Sequence, residues 1–245
     1  MAANNPLKYI DPDGRQEKSA LPIEVTHSFG VSLQKAPLWV GQNVHDVFSG
    51  ILKLLKQFQP SGDNLFHWRS NPAKLAIRKV NFTLMLKNDP ALPRDIANNP
   101  KRLAATIIER HRLTGERRIN IYLVLDRAPG TSSEEKIAFL IDAAAHEGYG
   151  HVPKVLQSFS TLGSFQSARI DSLYAARSDS VQNEEEIDVY QNTAIPFLQR
   201  LAEAGGNSLT TFFPKGMLRP EKMPEALQFV LKDNEASLNS ALKKR

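Results

Sequence analysis

Residues 137–152 read IAFLIDAAAHEGYGHV, an apolar run that ends in His146, Glu147 and His151. Two histidines one helical turn apart can bind a divalent metal through neutral imidazole nitrogens, and a glutamate beside the first can deprotonate a water on that metal. The usual spacing is four residues, H-E-x-x-H, and here it is five. At about 100° per residue, a five-residue step turns the two imidazoles roughly 140° apart on a regular α-helix. Convergence on one ion therefore requires a π-bulge, or a helix that stops near Gly148 and returns His151 on the following turn. Gly148 and Gly150 permit either.

Working outward, residues 118–126 form the strongest strand pattern, with Ile119, Ile121, Leu123 and Leu125 alternating with Asn120, Tyr122 and Val124. A turn at Ala128, Pro129 and Gly130 follows. Ser132 or Ser133 then caps a helix with Glu134 and Glu135 in its first turn, where they favour the helix dipole. Strand, short loop and helix thus deliver the His-Glu pair. Downstream, residues 183–206 carry Ile187, Tyr190, Ala194, Phe197, Leu198 and Leu201 at helical spacing, with Pro196 as a kink and Gly205 and Gly206 as the end. Glu184 and Asp188 stand one above the other on that helix.

The rest of the chain is mostly helical in pattern with a small sheet. Residues 23–41 suggest short strands or loop, 47–58 a helix capped by Asp46, and 79–87 a strand. A helix is expected over 100–113, with Leu103, Ile107 and Ile108 inward. Further helices are expected from Pro153 to Leu162, over 167–177, and from Pro224 to the basic tail, with a loop over 207–220. His27, His45, His67 and His111 have no partner at a ligating spacing.

With 245 residues, 41% of them hydrophobic, the chain can bury one substantial core. It has no cysteine, so disulfides and thiolate-ligated metals are excluded and a metal site must use His, Asp or Glu. No apolar run reaches the ~18–20 residues of a membrane span, and no signal peptide is expected at the N-terminus. The net charge of +5 is scattered, which fits a solvated surface better than a nucleic-acid footprint.

The strand, loop and His-Glu helix resemble the surroundings of the active site in zinc metallopeptidases. The acidic helix that follows resembles the E-x-x-A-D helix of gluzincin-type members, with Ile187 in place of alanine. That resemblance implies an α+β, mainly helical, zincin-like architecture and a Zn2+ ion bound by His146, His151 and Glu184. Asp188 would orient a ligating imidazole, and Glu147 would be the general base. The register among Glu184, Glu185 and Glu186 stays open by one or two positions. Tyr149 is a candidate donor to a tetrahedral oxyanion.

Residues 4–15, NNPLKYIDPDGR, resemble a different family. Asn5, Pro6, Tyr9, Asp11, Pro12 and Gly14 are similar to the motif that closes the core of Rhs/YD-repeat proteins ahead of a variable toxin. The resemblance implies that residues 1–22 are the end of such a core or a linker and that 23–245 are the toxin domain. It further implies an Rhs shell before release, a neutralising immunity protein, a target-cell protein as substrate and delivery into the cytoplasm of another cell. Two other chemistries fit parts of the sequence. In an ADP-ribosyltransferase, Ser158 to Thr161 would mimic a Ser-Thr-Ser strand, Glu184 and Glu186 a Glu-x-Glu pair, and Arg118 would hold the dinucleotide. In a nuclease the histidines would act on phosphates.

Overall fold

The computed structural model describes residues 21–35, 39–40, 43–59, 69–70, 77–110, 117–160 and 179–244. A short ladder pairs β1 (Leu21–Pro22) with β3 (Arg69–Ser70). The main sheet has four strands, β2 (Glu24–Phe29), β4 (Ile77–Met85), β5 (Ala104–Arg110) and β6 (Arg117–Val124), in the order β2-β4-β6-β5. β2, β4 and β6 are parallel and β5 is antiparallel to β6, so β2 and β5 are the edges.

Alternation sorts the side chains of the sheet. Val80, Phe82 and Leu84 of β4 and Ile119, Ile121 and Leu123 of β6 are buried on one face, against the helices. The other face carries a hydrogen-bonded ladder of Thr26, Ser28, Asn81 and Thr83. Beside it lies a smaller apolar cluster of Met85, Leu92, Ile96, Ala105, Tyr122 and Val124. Just past β6, Arg127 donates Nη1 to the carbonyls of Ile96, Asn99 and Arg102 at 2.8–3.0 Å. That clamp fixes the segment that leads from α2 (Arg94–Ala97) into β5.

The helices are α1 (Val44–Gln57), α3 (Ser133–Ala145), α4 (Val152–Ser160), α5 (Asp179–Val189), α6 (Ile195–Ala204), α7 (Gly206–Thr210) and α8 (Met223–Leu242). Ser132 and Glu135 start α3 with a capping box. Every residue from Ile137 to Ala145 is buried, because α3 runs through the middle of the molecule between the sheet, α1 and α8. Burying Leu140 and Ile141 completely contributes about 1.5–3 kcal/mol each to holding the helix there.

The fold is mixed α+β, mostly helical with a small four-stranded sheet. The helix expected over 100–113 is corrected: this stretch contains β5. Leu103, Ile107 and Ile108 have helical spacing, but the β-branched run Thr106-Ile107-Ile108 pairs residue for residue with β6 and satisfies its backbone there. The kink expected at Pro196 lies just past a π-helical turn, Tyr190–Ala194, and the loop expected over 207–220 starts with α7. The helix expected over 167–177 lies outside the described residues. Among the described residues no helix is long and apolar enough to cross a membrane.

The resemblance to Rhs/YD-repeat proteins is corrected as well. The described residues form this helical fold with a small open sheet and contain no β-solenoid. Residues 4–15, on which the resemblance rested, lie outside them.

Candidate metal centre

The five-residue histidine spacing is accommodated by the backbone. His146–His151 is a π-helical turn, in which the N–H of Val152 bonds to the carbonyl of Glu147, five residues back. A turn closed on the fifth residue brings residue i+5 over residue i. His146 Nε2 and His151 Nε2 therefore face each other at 3.2 Å. Two neighbours favour this turn. Pro153 has no N–H, and its ring crowds the carbonyl of Tyr149 four residues before it, which loosens the preceding turn. Gly150 lets α5 come close, since a Cβ there would stand 2.4 Å from Val189 Cγ1.

That close approach brings the third group. Glu186 Oε2 lies 3.2 Å from His146 Nε2, and Glu186 Oε1 lies 3.3 Å from His151 Nε2. One ligand atom from each of the three residues lies within 4.8 Å of the others. Ligand atoms around a four-coordinate divalent ion stand about 3.3 Å from one another, so a His/His/Glu cluster of this size could chelate one divalent cation. The imidazoles are 13% exposed and the Glu186 side chain 40%, which leaves a solvent-facing side for a water or a substrate.

The neighbouring groups orient the imidazoles. His151 Nδ1 lies 2.8 Å from Glu185 Oε1, which acts as acceptor, fixes the proton on Nδ1 and leaves the Nε2 lone pair for a metal. The Tyr190 ring stands edge-on to His146 with ring centres 4.9 Å apart. Asp142, one turn before His146, is buried and accepts from Asn234 Nδ2 at 2.8 Å. Burial pushes its carboxyl up to about 6, against the opposing pull of His146 and Asn234. Burial disfavours charge on His151, yet Glu147, Glu185 and Glu186 outweigh it and push the imidazole up to about 10. Partial burial disfavours charge on Glu186 too, but the two imidazoles hold its carboxyl well below the usual range. Such a concentration of negative charge around two imidazoles is an environment suited to a cation.

Glu147 is buried on the sheet side of the turn, where Thr106 Oγ1 of β5 donates to its Oε2 at 2.7 Å. Thr106 pairs with Ile121, which places it on the helix-covered face of the sheet. The edge strand and the π turn therefore meet through the carboxylate beside the first histidine.

The other residues singled out from the sequence lie as follows. Glu184 is exposed, and it is Glu186, two positions further along α5, that faces the imidazoles. Asp188 accepts from Lys154 Nζ and from Asn192 Nδ2, while Glu185 occupies the imidazole-orienting position. Tyr149 turns away from the histidines: it is buried, and its hydroxyl donates to the Leu55 carbonyl of α1 at 2.5 Å. It is tied to the core there, and burial raises its pKa. Ser158 and Ser160 lie on α4, which is helical, so no Ser-Thr-Ser strand forms there. Thr106 and Asp142 are not among the residues singled out from the sequence, and Glu185 enters there only as an alternative register for the metal ligand. Thr106 was hidden by reading its segment as a helix, whereas Asp142 could have been noticed as the one acidic residue inside the apolar run of α3.

No protein-family model, curated protein or solved structure matches the chain. The Rhs/YD-repeat identity is corrected by the fold described above, and the shell, immunity protein and delivery were implications of that resemblance alone.

Proposed function

We propose that this protein is a metal-dependent hydrolase that binds zinc and cleaves peptide bonds. The observation that carries the reading is the convergence of His146, His151 and Glu186 at tetrahedral-edge separations with a buried carboxylate, Glu147, beside them. Three protein ligands with one side open is the pattern of catalytic rather than structural zinc. An ion held there supplies Lewis acidity and brings the pKa of a water toward ~7. Glu147, positioned by Thr106, would be the residue to take a proton from a water activated in this way and to pass it to the leaving amine. The same donor types also serve iron oxygenases, and it is the additional carboxylate of Glu147 that favours hydrolysis.

The neighbouring edge supports a peptide substrate. Among the described residues β5 pairs only with β6, and its Thr106 already touches the site. Its outer edge offers backbone donors and acceptors to an extended chain, which would then lie past the histidines.

The test is metal analysis of the purified protein together with cleavage of a mixed peptide library read by mass spectrometry. About one zinc per chain is expected. Glu147→Gln should retain that zinc while cleavage falls by roughly 10²–10⁴, and His151→Ala should lose both. A protein that takes up no zinc, or that cleaves peptides equally well after chelation, would overturn the proposal.

A further inference from the structure

Asp142 is the one acidic side chain in the buried run of α3 from Ile137 to Ala145, and it takes no part in the chemistry proposed above. Its Oδ1 accepts from Nδ2 of Asn234 on α8 at 2.8 Å, and both residues are buried. Taking a carboxylate out of water is unfavourable unless opposite charge lies nearby, and a neutral amide supplies none. An apolar residue would fill the same place without that cost, so the anion calls for a counter-charge.

The counter-charge lies one turn along the same helix. Positions 142 and 146 are four apart and share a face of α3. The charge of His146 favours the ionised form of Asp142, whereas that of Asp233 on α8 opposes it. Tyr190, whose ring stands edge-on to His146, feels the charges of both Asp142 and Glu186, so the two carboxylates flank one neighbourhood from α3 and α5. Glu186 reaches His146 at Nε2, and Asp142 adds negative charge from within α3 without facing that atom as a ligand. A divalent ion on the imidazole is a larger positive charge than a proton, and a carboxylate close to a ligating histidine strengthens its hold on the ion.

We propose that Asp142 is a positioning residue of the metal centre: held by Asn234, its carboxylate acts through His146 to favour a divalent cation on the three ligands. This rests on the metal-binding reading of His146, His151 and Glu186 and is independent of the bond that is cleaved. The alternative is a tie between α3 and α8. The two differ in what they require, since a tie needs only an acceptor oxygen, which asparagine also has, and the electrostatic role needs the charge.

The experiment uses the full chain, stripped by chelation and titrated with zinc against a chromophoric chelator. Asp142→Asn keeps the size of the side chain and an oxygen for Asn234 while removing the charge. Zinc affinity should fall by about ten-fold or more, with the thermal midpoint of the metal-free protein unchanged or raised. The double variant Asp142→Asn, Asn234→Asp returns a carboxylate to the other end of the same hydrogen bond and should bind zinc at least about three-fold more tightly than Asp142→Asn alone. Equal affinity in Asp142→Asn and the parent would overturn the proposal by reducing Asp142 to a tie. A double variant that binds zinc no better than the single one would overturn it as well. A parent chain that binds no zinc would remove the metal centre and this role together, whereas one that binds zinc and cleaves no peptide would remove the peptidase reading and leave the role of Asp142 supported by the affinities.

Discussion

Among the described residues two helical rods widen by one residue, at His146–His151 and at Tyr190–Ala194, and the comparison separates what makes a π turn from what uses one. Each closes with a hydrogen bond to the fifth residue back, Val152 to Glu147 and Ile195 to Tyr190. Each is followed two residues later by a proline, Pro153 and Pro196, which cannot donate and which crowds the turn before it. The cause is shared. The contents are not, since the first turn carries two imidazoles and a buried carboxylate, while Gln191 and Asn192 of the second are exposed. The second contributes the Tyr190 ring packed against His146. A widened turn is thus a local consequence of proline, and it becomes a candidate metal site only where the spacing of ligands matches it.

The most damaging way to test the contrast is at the point where the two rods approach. Gly150→Ala places a methyl group 2.4 Å from Val189 Cγ1. A loss of about 1–3 kcal/mol of stability is expected, read from denaturant midpoints, together with weaker zinc binding as Glu186 is pushed away. Unchanged stability would show that the approach does not depend on this glycine. A subtler test exchanges the prolines. Pro153→Ala restores a donor and favours an ordinary α turn, so zinc affinity should fall about ten-fold, or ~1.4 kcal/mol. Pro196→Ala should leave it unchanged. Equal effects in the two variants would erase the distinction between them.

The smallest effect concerns the far end of α3, which anchors the first turn from its start. Glu134 is buried and accepts from the backbone N–H and from Nε of Arg219 at 2.9 and 3.0 Å. Burial alone would raise its pKa, but the bonds from Arg219 outweigh it and hold the carboxyl below its ordinary value. A folded-state pKa below the unfolded one contributes stability above the unfolded value, lost as pH falls through the folded one. Thermal melts between pH 7 and 3 should therefore show a shallower acid destabilisation in Glu134→Gln than in the parent protein. Parallel curves would remove Glu134 from the account.

Much of this was legible in the sequence because the signals were local. The alternation around Ile119, Ile121 and Leu123, the serine-led start of α3 expected at Ser132 or Ser133 and the apolar stripe of α1 each correspond to an observed element, although α1 begins at Val44 after Asn43, which leaves Asp46 inside its first turn and not at its cap. The histidine spacing itself called for either a π turn or an early stop, and the π turn is what forms. Longer-range information was missing. From sequence alone β5 reads as a helix because Leu103, Ile107 and Ile108 satisfy a helical stripe, and only the presence of β6 as a pairing partner decides otherwise. Three consecutive glutamates, 184 to 186, point in directions about 100° apart. Which one meets the histidines depends on how α5 is rotated in its packing against the π turn, set in part by Val189 and Gly150. Tyr149 sits inside the motif yet belongs to the contact with α1, a distance that sequence spacing does not encode.

Arg127 has a consequence for the opposite side of the sheet from the helices. Its guanidinium sits in a ring of four carbonyl oxygens much as a small hard cation would, so its side chain acts as a tethered cation that dilution or chelation does not remove. The threonine that steadies Glu147 sits only a few residues beyond that ring. Chelating agents should therefore reach the histidines while leaving the strand that frames them in place.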